Sequence, residues 1–151
     1  MNDKGQHSSE EDVFQLLHRA EQRAKALFAQ EARDMGLTLR QVAILEAIES
    51  GGTIIQSEIV QRTGIDRSTV TELMGRMDAR GLVTRERDSR DARAYLVTVT
   101  EQGRDQLMRA REAANRASDA FVAQLPRRDR DQFFEALRQL ASFSDDPLTA
   151  T

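Results

Sequence analysis

Residues 57–81 read SEIVQRTGIDRSTVTELMGRMDARG, and residues 82–99 read LVTRERDSRDARAYLVTV. The first stretch divides into two short helical segments around Thr63-Gly64-Ile65. The second alternates with period two on either side of a charged run, DSRDAR. A helical period that breaks once and then gives way to a strand period leaves few architectures open: a helix-turn-helix followed by an antiparallel hairpin. In the second helix of the pair, Asp66 is a suitable N-cap, and Val70, Leu73, Met74 and Met77 form one apolar stripe at i, i+3, i+4 and i+7. That leaves Arg67, Ser68, Thr69, Thr71, Glu72 and Arg76 pointing outward, and Gly81 closes the helix.

The flanking sequence is helical. Val13, Leu17, Ala20, Ala24, Leu27 and Phe28 recur at helical spacing, with Gly36 placed as a left-handed C-cap. Thr38 and Gln41 have the form of a capping box, and Leu39, Val42, Leu45 and Ile48 carry a second helix to Gly51-Gly52. Beyond the hairpin, Thr100 caps a long helix with a stripe of Leu107, Ala110, Ala114, Ala117, Phe121 and Leu125. A last helix from about Arg127 to Phe143 carries Phe133, Phe134, Leu137 and Leu140. A helix of some 25 residues spans roughly 37 Å, more than a winged lobe covers, so its Ala-rich stripe calls for another helix, supplied by a partner chain. The fold class is mainly α with a small β-hairpin, a winged helix-turn-helix lobe joined to a helical dimerisation lobe. Dimer contacts are expected at Val13, Leu17, Leu107, Phe121, Phe133, Phe134, Leu137 and Leu140. Residues 1–10 are expected to be a disordered tail ahead of a single domain over 11–145.

Composition narrows function by exclusion. The chain of 151 residues has a net charge of −3 and no Cys, so disulfides, thiolate metal sites and thiol redox sensing are excluded. The only histidines are His7 and His18, and no metal site or cofactor is expected. No Gly-rich phosphate loop, nucleophile elbow or His-containing triad can be assembled, which argues against an enzyme. No apolar run reaches membrane-spanning length, and the first dozen residues, MNDKGQHSSEED, are polar and acidic where a signal peptide would be basic and then apolar, so cytoplasmic location is expected. Between Arg62 and Arg93, however, eight arginines face six acids, a local net of +2 against −5 for the remainder. Arginine's planar fork binds guanine or phosphate bidentately, and short hydroxyl side chains at a helix N-terminus suit phosphate. An ordinary solvated helix face has the same composition. The tip weighs more: Asp88, Arg90, Asp91 and Arg93 alternate so that each acid can brace an arginine, and a braced arginine at a hairpin tip fits the narrow, electronegative minor groove. A surface ion-pair cluster is the plain alternative.

The core from Leu37 to Gly103, with DRSTV opening a helix, ARGLV closing it, and a D-x-R-D-x-R tip followed by a strand and T-E-x-G, resembles the MarR (multiple antibiotic resistance regulator) family of bacterial winged-helix regulators. The resemblance implies a homodimer whose terminal helices, residues 11–35 and 101–143, interlock beside a winged core of residues 37–103. It implies a ligand-responsive repressor bound to double-stranded DNA at a near-palindromic operator with half-sites about 10 to 10.5 bp apart. Ser68, Thr69, Thr71 and Arg76, with Arg67, would face bases or phosphates. Arg90 would enter the minor groove with Asp88 orienting it, while Arg87 and Arg93 would contact phosphate or brace the tip. Two residues depart from the family's habits. Glu72 would repel phosphate yet can accept from cytosine N4, and Ile55 stands where a Ser or Thr cap is usual, leaving Gln56 or Ser57 to compensate. Family members often bind an anionic aromatic effector between the dimer helices and the winged lobe. Arg19 and Arg23, one turn apart, and His18 are the candidate ligand residues, although a solvated helix flank shows the same pattern. Tyr95 is expected in the hairpin core. A winged-helix module that assembles with protein instead of DNA is the alternative function; it would favour aromatic anchors over an arginine-tipped wing.

Overall fold

A computed structural model describes residues 9–142. Most of the expected tail, the last helix's expected end at Phe143 and the domain's expected end at 145 lie outside the described residues. In chain order come α1 (Ser9–Glu31), α2 (Leu39–Gly51), β1 (Thr53–Ile55), α3 (Gln56–Thr63), α4 (Arg67–Ala79), β2 (Val83–Arg87), β3 (Tyr95–Val99), α5 (Glu101–Val122) and α6 (Arg127–Ser142). The first helix starts at Ser9, ahead of the Val13 that apolar periodicity picked out, because its first turns are polar and carry no stripe to detect. It ends at Glu31, and a turn through Met35 leads to Gly36 at φ 60°.

The capping chemistry explains the boundaries of α2. The Thr38 hydroxyl accepts from the Gln41 N–H at 3.3 Å, and the Gln41 side-chain oxygen accepts from the Thr38 N–H at 2.9 Å. Helix α3 is started differently. Ile55 has no side-chain acceptor, and neither Gln56 nor Ser57 replaces it: Glu58 reaches back to accept from the Ile55 N–H at 3.4 Å. Past α4, Gly81 adopts φ 71°, and the Leu82 and Gly81 N–H groups bond the carbonyls of Met77 and Asp78. This Schellman closure turns the chain straight into β2.

The hairpin is part of a larger sheet. Thr53–Ile55 pairs antiparallel with β3, Ile54 opposite Val97, so three strands lie in the order β1-β3-β2. One sheet face is apolar inward: Ile54, Val83, Val97 and Val99 are buried against Ile44, Leu45 and Ile48 of α2, Ile59 of α3 and Val70, Met74 and Met77 of α4.

The stripe of α5 is covered within the chain. Leu107, Ala110, Ala113 and Ala117 are buried in one core with Phe28 of α1 and Ala32 in the turn that follows it. Leu107 is 1% exposed and cannot serve as the dimer contact expected of it. The helix that covers the alanines is α1, not a partner, because small side chains let two helices of one chain approach closely. Gly103, also buried, makes the closest approach: a Cβ there would run into the Leu82 carbonyl and Val99. Three ion pairs clasp the same helix from outside, Arg104 to Glu49, Arg111 to Glu46 and Arg116 to Glu31. Among the described residues, no helix is long and apolar enough to cross a membrane.

Candidate nucleic-acid interface

Helix α4 is held from both ends and from below. Asp66 accepts from the Thr69 N–H at 2.8 Å and from the Thr69 hydroxyl at 2.7 Å, and these bonds, the backbone one first, hold its carboxyl below the usual aspartate range. Val70, Met74 and Met77 are completely buried beneath it. At the far end, Arg80 donates to the carbonyls of Gly36 at 2.6 Å and Met35 at 3.0 Å, fastening α4 to the turn after α1.

The outward face differs from the expected row of free donors. Arg67, Ser68, Thr71, Glu72 and Arg76 are exposed, but Thr69 is half-buried and spends its hydroxyl on the cap. The Thr71 hydroxyl donates to the Arg67 carbonyl at 2.9 Å and accepts from the Gln56 amide at 3.0 Å. Arg76 is paired with Glu72 at 2.6 Å. Such an exposed i,i+4 pair is worth only about 0.3–0.5 kcal/mol, so it orders Arg76 without locking it.

The wing tip, residues 88–94, turns without glycine or proline because its two acids build the turns. Asp88 accepts from the Arg90 N–H at 2.9 Å and Asp91 from the Arg93 N–H at 3.0 Å. No residue of the tip needs a positive φ. The acids therefore brace the arginines mainly through the backbone. Asp88, whose side chain is 11% exposed, also lies 3.6 Å from the Arg90 Nε, while the Arg90 side chain itself is 87% exposed. Arg87 is tied down by the Ala92 carbonyl at 3.0 Å.

Tyr95 is not in the hairpin core. It is half-buried, with the guanidinium carbon of Arg85 4.6 Å and that of Arg87 5.5 Å from its ring centre. Arg85, Arg87 and Tyr95 share the face that is buried further down the sheet. An arginine on the inward face of an alternating strand was the one signal that marked Arg85, which sequence reasoning passed over.

Two clefts border α1, and the first of them reaches the flank of α4. One, of about 500 Å³, is lined by Lys25, Phe28 and Ala29 of α1, by Leu37 to Arg40, and by Thr69, Glu72 and Leu73 of α4. The other, of about 460 Å³, lies between Leu16, Arg19, Ala20 and Arg23 of α1 and Phe121, Gln124, Leu125 and Phe133. The three candidate ligand residues are thus not brought together: Arg19 and Arg23 line the second cleft, whereas His18 is exposed and lines neither.

The family model of the MarR family matches residues 35–94. The HTH-type transcriptional repressor NicR of Pseudomonas putida is 32% identical over 86% of this chain and 82% of its own length. The structure of Bordetella bronchiseptica BpsR, whose DNA binding is regulated by 6-hydroxynicotinic acid, superimposes with a TM-score of 0.79 at 32% identity, covering 86% of this chain and 98% of BpsR. That of Streptomyces coelicolor PcaV, a transcriptional regulator solved with its natural ligand, gives 0.72 at 26% identity, covering 93% and 97%. With a winged lobe that presents a capped helix and an arginine-tipped hairpin, this chain belongs to the MarR family of DNA-binding transcriptional regulators and is not an enzyme.

Proposed function

We propose that this protein is a homodimeric, cytoplasmic repressor that leaves a near-palindromic operator when a small aromatic or anionic molecule binds. The observation that carries the reading is the cleft of about 500 Å³ whose wall includes Thr69, Glu72 and Leu73. These residues belong to the same helix that turns Arg67, Ser68 and Arg76 outward. A molecule lodged there touches the DNA-facing helix directly, which is how a ligand acquires different affinities for two arrangements of the protein. Arg40, which has no carboxylate partner among the described residues, supplies positive charge, and Lys25 stands beside it in an ion pair with Glu21 at 2.7 Å. This reading takes the cleft at Arg40 and Lys25 as the effector seat and leaves Arg19 and Arg23 to the other cleft. The repressor name of NicR and the regulation of BpsR by 6-hydroxynicotinic acid favour the same reading.

Dimerisation is assigned to the outer half of α1, the end of α5 and α6, where Val13, Leu17, Leu137 and Leu140 are 51%, 47%, 38% and 68% exposed and Phe121, Phe133 and Phe134 are half-covered. Apolar side chains grouped on adjacent helices mark an interaction surface. DNA is met by Arg67, Ser68 and Arg76 in the major groove and by Arg90 in the minor groove, with Arg87 and Arg93 at the flanking backbone.

The test is a fluorescence-anisotropy titration against DNA from the gene's own upstream region beside a random duplex, at two salt concentrations, then with 6-hydroxynicotinic acid added. Binding stronger than to the random duplex by about three powers of ten or more, weakened by the acid, is the expected result. Equal weak binding to both duplexes would reject the reading. In the same assay Arg90→Ala lowers the salt slope by about one unit for each wing; an unchanged slope removes Arg90 from the DNA contacts.

A further inference from the structure

The two DNA-facing elements, helix α4 and the wing, are connected by a continuous run of polar contacts. From the tip inward, the Ala92 carbonyl accepts from Arg87 at 3.0 Å, and Arg87 and Arg85 both lie against the Tyr95 ring. Arg85 then donates to the Gln56 side-chain oxygen at 3.3 Å. Gln56, the first residue of α3, donates through its amide nitrogen to the Thr71 hydroxyl at 3.0 Å, and Thr71 donates to the Arg67 carbonyl at 2.9 Å. Gln56 is the only residue in the run that touches both sides, and its amide is suited to this because it carries an acceptor and a donor on one rigid plane.

Two features set the run apart from ordinary surface bonding. The Arg85 Nε is buried without an acceptor, a cost that an apolar residue on this inward strand face would avoid. The Thr71 hydroxyl, by contrast, already has one donor and one acceptor partner inside the protein, although it sits on the exposed face of α4. A hydroxyl so engaged is poorly placed to read a base edge.

We infer that Arg85, Gln56 and Thr71 are positioning residues that fix the distance and angle between α4 and the wing, and so fix the spacing between the major-groove half-site and the minor-groove flank that one subunit recognises. Thr71 acts through the wing and not by base contact. A duplex whose A·T tract is displaced by one base pair presents its narrow groove at a different height and rotation, and a stiff connection penalises it where a loose one does not. The inference rests on the DNA-binding reading above.

Selection from a random-sequence duplex library tests it whatever the operator sequence. The full-length wild type, Gln56→Ala, Thr71→Val and Thr71→Ser would be compared, each first checked for an unchanged thermal melt. The wild type and Thr71→Ser should enrich a half-site and a flanking A·T tract at one fixed separation. Gln56→Ala and Thr71→Val should enrich the same half-site with the tract spread over more than one separation. They should also bind the wild-type arrangement roughly two- to tenfold more weakly, the worth of one hydrogen bond. A single unchanged separation in both variants overturns the inference. So does a changed base preference within the half-site for Thr71→Val, since that makes Thr71 a base contact. A wild type that enriches no sequence overturns the DNA-binding reading itself, and this inference with it.

Discussion

Helices α5 and α6 follow one another in the chain, are both amphipathic, and meet opposite fates. Gly103, Leu107, Ala110, Ala113, Ala117 and Val122 of α5 are buried, whereas α6 has no buried residue. Side-chain size accounts for the difference. The alanines of α5 allow α1 to lie close, and Gly103 admits the Leu82 carbonyl and Val99, so a single chain can cover them. The Phe and Leu residues of α6 project further, and among the described residues only Phe133, 6.4 Å from Phe121 between ring centres, finds an aromatic neighbour on another element. An apolar stripe states that a helix has an inward face; the volume of its residues decides whether one chain is enough to cover it.

The largest expected effect is in α5. Leu107→Ala should lower unfolding stability by about 2–5 kcal/mol, and the loss in thermal denaturation should not depend on protein concentration. A loss that disappears as concentration rises would return Leu107 to the dimer face. Next comes α6, where Leu140→Asp should leave the winged lobe folded and raise the dimer dissociation constant roughly tenfold to a hundredfold in sedimentation equilibrium. An unchanged constant would break the contrast from the other side.

The smallest effect sharpens the contrast by removing charge in place of apolar surface. Arg111 hydrogen-bonds Glu46 at 2.6 and 2.7 Å and holds its carboxyl below the ordinary value of 4.5. A depressed carboxyl stabilises the fold above its unfolded value and loses that contribution as pH falls through the folded one. Both side chains are substantially exposed, so Glu46→Gln should cost only about 0–1 kcal/mol at pH 7. The variant should also decline less than the wild type in urea denaturation below pH 4.5. An equal decline in both would place the acid sensitivity elsewhere.

The helix pair, the Thr38 capping box, the Asp66 cap and the charged tip were legible because each is local: a cap, its partner and the stripe behind it lie within about two turns of one another. What escaped was long-range. Thr53-Ile54-Ile55 is too short to show a period, and its strand character comes from Thr98, Val97 and Leu96, more than forty residues away. Likewise nothing near Ala110 or Ala113 announces α1 as their cover. The bond from Arg85 to Gln56 joins residues 29 positions apart. Arg67, Ser68, Glu72 and Arg76 are exposed as expected, but Thr69 and Thr71 looked like free donors because a sequence does not record which hydroxyls are already engaged.

The strand order has a consequence for how the protein is made. The central strand, β3, is the last of the three to be synthesised, and β1 has no other partner in the sheet. While the ribosome is still adding residues 56–94, Thr53–Ile55 waits unpaired, its apolar side chain at Ile54 still without the Val97 that will face it. The helices of the lobe can form as they emerge, but the sheet can close only after Val99 has cleared the exit tunnel, in a step that joins early and late chain together.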